Sequence, residues 1–239
     1  MNWHSRYLQQ AAWTRDLRVY LFEQAGLANA RSVLEVGCGT GAVLRELNTP
    51  AAIHGLDFNP AALSECRIHA PSVFLARGDG YSLPYPDKYF DIAYCHFLLL
   101  WVKDPYQVVC EMARVSRAVL ALAEPDYSGR VDEPAGLKLL GEWQTEALRR
   151  QGADPKFGAQ LAETFYQAGI KLIETGPIQS QAVMRSAEDW ENEWVVIESD
   201  LEGSVTGQEI QKMRELDKAT RSRNERCLHV PTFFAWGKT

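Results

Sequence analysis

Short apolar runs recur through the first half of the chain, each closed by a turn, and the segments between them carry apolar residues at three- and four-residue spacing. The runs at 33–36, 52–57, 72–76, 89–95 and 118–123 predict buried strands. Runs beginning at 170 and spanning 228–237 predict a sixth and a seventh. Helices are expected over 3–26 as one or two pieces ended by Gly26, after residue 41 with Ala42, Val43, Leu44 and Leu47 as the apolar side, over 60–70, from Pro105 with Val108, Val109, Met112 and Ala113 inward, and over 134–150 and 157–168. Asn59-Pro60 and Asp104-Pro105 each place a capping side chain before a proline at the first helical position, and Pro71 closes the helix opened at residue 60. Two more helices are announced by the capping boxes Ser186-x-x-Asp189 and Thr206-x-x-Glu209.

This alternation predicts an α/β fold. Its centre is a doubly wound, mostly parallel, Rossmann-like sheet of seven strands with right-handed crossovers. Residues 1–239 read as one domain, with an N-terminal helical cap over 1–30 and a helical insertion over 185–227 between strands six and seven. If strand six runs parallel to the others, that insertion starts and finishes at the carboxyl edge of the sheet, where a substrate lid would sit.

The chemistry concentrates at the first turn. Residues 37–41, Gly-Cys-Gly-Thr-Gly, follow strand one. Gly37 and Gly39 let the backbone turn tightly and approach a ligand, and Gly41 lets the next helix start close to the strand. Backbone N–H groups at that helix start would face something negatively charged or polar. Read as G-x-G-x-x-A, the same residues pass as a dinucleotide fingerprint, a weak signal alone. Glu35 changes the reading, because an acid two residues before the first glycine repels a pyrophosphate and suits a ligand carrying an ammonium and a sulfonium. Asp57, at the end of strand two, has the spacing at which a carboxylate accepts from ribose hydroxyls in either ligand class. Asp79 follows strand three, again at the carboxyl edge.

With Val33-Leu34-Glu35-Val36-Gly37-Cys38-Gly39-Thr40-Gly41 the chain resembles the class I S-adenosylmethionine-dependent methyltransferases, and Gly78-Asp79-Gly80-Tyr81-Ser82-Leu83-Pro84-Tyr85 is similar to a second segment of that family, with Gly80 where alanine is usual. The resemblance covers 32–126 well and 1–30 and 157–239 loosely. It looks closest to the small-molecule branch that includes quinone-biosynthesis methyltransferases. It implies S-adenosylmethionine as cofactor and S-adenosylhomocysteine as product. It also implies cofactor contacts from Glu35, Gly37, Cys38, Gly39, Gly41, Asp57, Phe58 and Cys95. Asp79 would recognise the adenine amino group and the Gly80 amide the ring. Tyr7 and Trp13 would cover the cofactor, the alternative being a plain structural cap.

Methyl transfer of this kind is an in-line displacement at the sulfonium carbon by an O, N, S or C nucleophile, needing alignment and exclusion of water, with a base if the nucleophile is protonated. His96, after strand four on the substrate side, has the pKa range of such a base. Its other reading is a histidine satisfied by hydrogen bonds that shapes the pocket. The Asn/Asp-Pro-Pro-aromatic tetrad of base-modifying amino-methyltransferases is missing at this position. Glu124 and Asp126 close strand five, with capping or turn formation as the first expectation and a substrate contact as the second.

Composition narrows the partners. The chain has 239 residues, of which 46% are hydrophobic and 23% charged, and a net charge of −6, which argues against a nucleic-acid partner. No run suits a membrane span and the first residues lack a secretory pattern, so a cytoplasmic enzyme with a small-molecule acceptor is expected. Five cysteines without metal spacing read as reduced thiols, and no metal is expected. Cys38 is either a reactive thiol or a small residue whose backbone matters. The charges of 188–226 read as a solvated, mutually paired face, or as a mouth that attracts a cationic amine. Three rivals stay open: a nicotinamide-dependent oxidoreductase, an RNA or protein methyltransferase, and a cofactor-binding protein that transfers no methyl. Acceptor and oligomeric state are not read from the sequence.

Overall fold

The computed structural model describes residues 3–178 and 187–239. Seven strands form the central sheet: β1 (Ser32–Val36), β2 (Ala52–Asp57), β3 (Phe74–Arg77), β4 (Phe90–Cys95), β5 (Ser116–Pro125), β7 (Lys171–Pro177) and β9 (Thr232–Lys238). Their order is β3-β2-β1-β4-β5-β9-β7. The first five pair in parallel, and β9 is antiparallel to both β5 and β7, which makes β7 parallel to β5. The chain builds outward from β1 to β3 and then returns to the other side of β1 with β4. A crevice therefore opens between the carboxyl ends of β1 and β4, the place where such sheets bind ligands.

Period-two alternation sorts the strands into two cores. Leu34, Val36, Ala93, Cys95, Val119 and Ala121 face one side, under α4 (Pro105–Val115) and α6 (Leu161–Gln167). Val33, Ile92, Tyr94, Leu120 and Leu122 face the other, under α2 (Arg15–Gln24) and α3 (Pro60–His69). α1 (Trp3–Trp13) joins this second layer through Ala11. The two proline-opened helices cap as expected: Asn59 Oδ1 accepts from Ala61 and Ala62 N–H, and Asp104 Oδ1 from Gln107 N–H. A third core, built from Leu137, Leu140, Trp194, Ile197, Leu201 and Ile210, joins α5 (Lys138–Arg150) to α7 (Ala187–Leu201) and α8 (Gly207–Ser222). The Thr206–Glu209 capping box is present. The one at Ser186 lies outside the described residues.

Two expectations are corrected. No α-helix follows the glycine turn; a single 3-10 turn, Leu44–Glu46, takes its place. The stretch from Gly41 to Pro50 is too short to offset helix nucleation, and Asn48-Thr49-Pro50 cannot extend one. Ala42, Val43 and Leu44 are buried all the same, in the core that Ala11, Leu21 and Phe22 complete, so the N-terminal helices fill the layer left open. The run at 228–237 is not one strand. Pro231, which has no N–H for a ladder, divides it. Cys227–His229 becomes β8, antiparallel to the unanticipated β6 (Val131–Glu133), and only Thr232–Lys238 joins the main sheet.

Candidate active site

Gly37, Gly39 and Gly41 all have left-handed backbone, with φ of 72°, 51° and 80°. Two of them also lack room for a side chain: a Cβ on Gly37 would lie 2.6 Å from Leu98 Cδ1, and one on Gly41 2.7 Å from Cys66 Sγ. The donors of this turn are largely spent within the chain. Leu56 O accepts from the N–H of Gly37 (2.8 Å) and of Cys38 (3.0 Å), and Asp57 Oδ2 accepts from Gly39 N–H at 2.8 Å. With those N–H groups paired and no helix N-terminus behind them, the turn is a poor cradle for a pyrophosphate.

Acceptors, by contrast, converge on it. Asp57 is buried, takes Asn59 N–H on Oδ1 at 2.8 Å, and keeps a lone pair on each oxygen. Glu35 is buried on β1 and its Oε2 accepts from Tyr94 O–H at 3.0 Å. Burial pushes the Glu35 carboxyl well above the usual range. Asp79 is exposed, and its Oδ1 accepts from Tyr81 N–H at 3.0 Å. A Cβ on Gly80 would meet Val36 and Val108 at ordinary contact distance, so the alanine usual there would fit.

The remaining expected residues divide. Tyr7 comes to the turn, its ring 3.5 Å from where a Gly39 Cβ would lie. Trp13 is half-buried with the Arg6 guanidinium over its ring at 5.1 Å. Phe58 is 76% exposed beside Asp57. Cys95 is fully buried with its side chain in the core, which leaves only its backbone for a ligand. Cys38 is buried and hydrogen-bonds the Cys66 thiol, which together with burial raises its pKa and makes it a poor nucleophile.

His96 lies at the crevice, but its Nε2 is 2.9 Å from Thr14 Oγ1, and burial with Arg18 nearby lowers its pKa to about 3. An imidazole so weakly basic and so engaged fits the pocket-shaping reading better than the catalytic one. Thr14 sits between α1 and α2, and the buried Arg18 guanidinium donates to Thr14 Oγ1, to Ala11 O and to Glu46 beyond the glycine turn. Of the two acids closing β5, Asp126 caps a turn through Ser128 N–H and O–H, and Glu124 accepts three backbone N–H groups of the loop after β4. Both perform the capping duty.

Sequence reasoning missed the contact between the N-terminal cap and the insertion. Arg6 on α1 pairs with Glu193 on α7 at 2.5 Å, both nearly buried, and Gln9 Nε2 donates to Asp189 O at 3.2 Å. Cap and insertion thus meet. Behind them Asp217 accepts from Trp194 Nε1, Arg221 Nε and Arg226 Nε at 2.8, 2.9 and 2.9 Å, and Arg226 Nη2 reaches Asp132 at 2.7 Å. Part of the charge run does pair with itself, Arg214 with Glu191 and Glu198, but Asp217 and Arg226 are buried rather than solvated. Among the described residues no three His, Cys, Asp or Glu side chains gather as a metal site, and no helix is long and apolar enough to cross a membrane.

The model of a family described as a methyltransferase domain matches residues 34–118. The chain is 39% identical over 149 residues to a phosphatidylethanolamine N-methyltransferase of Cereibacter sphaeroides, covering 55% of this chain and 73% of that protein. It is 32% identical over 186 residues to a demethylmenaquinone methyltransferase of Lactiplantibacillus plantarum, covering 66% and 78%. An uncharacterised transposon protein of Streptomyces fradiae is 29% identical over 197 residues, and there the match covers 76% of this chain but only 56% of the longer relative. Among solved structures, a putative methyltransferase of Bacillus halodurans superposes with a TM-score of 0.63 at 16% identity, over 91% of this chain and 96% of that one, which speaks to the fold.

Proposed function

This chain belongs to the class I S-adenosylmethionine-dependent methyltransferases, and from that premise we propose that it methylates a small organic molecule at an O, N, S or C nucleophile. The observation that carries the reading is the polarity of the crevice. Its glycine turn has donated Gly37, Cys38 and Gly39 N–H to the chain itself, while Glu35, Asp57 and Asp79 stand around it as acceptors. Such a site suits hydroxyl, amino and sulfonium groups and disfavours a pyrophosphate, which weighs against the nicotinamide rival.

In this reading Asp57 takes the ribose hydroxyls, Asp79 the adenine amino group, and Glu35 ionises toward the cationic end of the cofactor. Gly37 to Gly41 and Gly80 offer backbone. Phe58 and Cys95 border the same edge, and Tyr7 and Trp13 cover it. When bound, S-adenosylmethionine supplies a methyl on a sulfonium, already a good leaving group. The chain's own contribution is alignment and dryness: Leu98 walls the turn, the Thr14–His96 contact fixes the substrate side, and the Arg6–Glu193 pair closes the top. A roof closed by a nearly buried ion pair favours a small acceptor over a chain of RNA or protein, as does the net charge of −6. Five cysteines without a disulfide suit a cytoplasmic setting.

Calorimetric titration tests the cofactor assignment. Wild-type protein is expected to bind S-adenosylhomocysteine and not NADH, and Asp57→Asn to lose the first. Binding of NADH in preference would establish the oxidoreductase reading instead.

A further inference from the structure

Resting on the methyltransferase reading, we propose that Glu124 is a positioning residue for methyl transfer: it holds the backbone of residues 98–100 in the one shape that seats Leu98 on the glycine turn and keeps His96 toward the cap.

The loop leaves β4 in a conformation its residues would not choose. Phe97 has φ of 52°, a left-handed backbone uncommon for a bulky aromatic, so something outside the loop must maintain it. β5 supplies that hold. Phe97 N–H donates to Ala123 O at 3.0 Å. Leu98 and Leu99 N–H donate to Glu124 Oε1 at 3.0 and 2.9 Å, and Leu100 N–H to Oε2 at 3.2 Å. Four consecutive N–H groups thus hang from two residues of one strand, with the carboxylate fully buried. Charge-assisted bonds in a buried setting are strong, and leaving those donors unmatched would be costly.

What the loop presents is the substrate side of the crevice. Leu98 lies against Gly37, its Cδ1 2.6 Å from where a Cβ would be, and His96 meets Thr14 at 2.9 Å, with the Phe97 ring edge-on to the imidazole at 4.6 Å. Glu124 is closed to solvent and its hydrogen bonds run to residues 98–100 rather than to the glycine turn, so its effect on transfer runs through this loop. Burial lifts its pKa to about 7 against the pull of the three N–H groups. The titratable side chain facing it is Cys95 on β4, whose thiol burial, and secondly Glu124, keep neutral.

The test compares wild type with Glu124→Gln, which keeps the shape but has one acceptor oxygen, and with Glu124→Asp, which keeps the charge one methylene short. Three measurements are made: S-adenosylhomocysteine affinity by calorimetry, methyl transfer from labelled S-adenosylmethionine into the small-molecule fraction of a cell extract, and amide hydrogen exchange. For Glu124→Gln the expected result is kcat down by about tenfold or more, cofactor Kd within about threefold, and faster exchange confined to Leu98–Leu100. Glu124→Asp, which keeps the charge but not the reach to the same three N–H groups, should fall between wild type and Glu124→Gln in kcat and in exchange at Leu98–Leu100. Unchanged kcat and exchange in Glu124→Gln would overturn the proposal. So would a general loosening, with exchange faster throughout and cofactor affinity lost, since that is a merely structural role. If the wild type transfers no methyl while Glu124→Gln still opens Leu98–Leu100, the acceptor reading fails and the hold of Glu124 on the loop stands.

Discussion

The carboxyl edge around β1 and β2 and the helical insertion formed by α7 and α8 solve opposite problems. At the edge, polar groups are placed by backbone: glycines with left-handed φ, a carboxylate taking Gly39 N–H, and donors spent on Leu56 O. In the insertion, position is fixed by side-chain charge. Asp217 and Arg226 are buried together, with Arg221, Trp194 and Asp132 around them. A buried ion pair adds little net stability, because desolvation offsets its attraction, but removing one member strands the other. The first region is therefore built to accept a ligand, and the second to hold one orientation above it.

Substitutions can break that contrast, beginning where the effect should be greatest. Asp57→Ala removes two acceptors from the edge and leaves Gly39 and Asn59 N–H unmatched, so S-adenosylhomocysteine affinity should fall about a hundredfold or more by calorimetry, with stability lowered by about 1–3 kcal/mol. Asp217→Ala should do the reverse. Removing the buried acceptor shared by Trp194, Arg221 and Arg226 should cost about 3–5 kcal/mol in denaturant unfolding, while cofactor affinity per folded molecule stays within about threefold. A large loss of cofactor affinity in Asp217→Ala would show that the two regions are not separable.

Glu193→Gln sharpens the account at the contact between the regions. Loosening the Arg6 pair should raise KM for the acceptor by about tenfold and leave kcat at saturation nearly intact. The smallest effect is expected at His96. With its pKa lowered to about 3 it stays neutral in the folded chain while the unfolded chain takes up a proton below about 6.5. Its contribution to stability is thus complete above that value and is lost as pH falls toward about 3. His96→Gln should lower kcat less than about tenfold and leave the rate profile between pH 6 and 8 unshifted, whereas a general base would cost about a hundredfold or more.

How far each region could be read from sequence follows from the same contrast. The edge was legible because its devices are local: three glycines in five residues, an acid before them, an acid at the end of the next strand, and prolines that open α3 and α4. The helix expected after Gly41 failed because apolar spacing signals burial, and burial came from α1 and α2 packing over a 3-10 turn. The insertion was misjudged because a charge pattern does not say which charges are buried. Asp217 and Arg226 look like their neighbours until β6 and β8 bring Asp132 beside them. Gly141 gave a faint signal, a glycine inside a predicted helix. A Cβ there would lie 2.2 Å from Asp132 Oδ2, so the glycine makes room for the Arg130–Asp132 pair against α5. For the left-handed Phe97 the sequence holds no signal, since the bonds that hold its loop come from Ala123 and Glu124 on another strand.

The central claim, that this crevice activates a methyl for a small acceptor, is tested most directly by adding the protein with S-adenosylmethionine labelled in its methyl group to an extract of the source cells and fractionating by size. The account predicts protein-dependent label in small organic molecules, absent with Asp57→Ala. Label in RNA or protein, or no transfer by a wild type that binds S-adenosylhomocysteine, would contradict it.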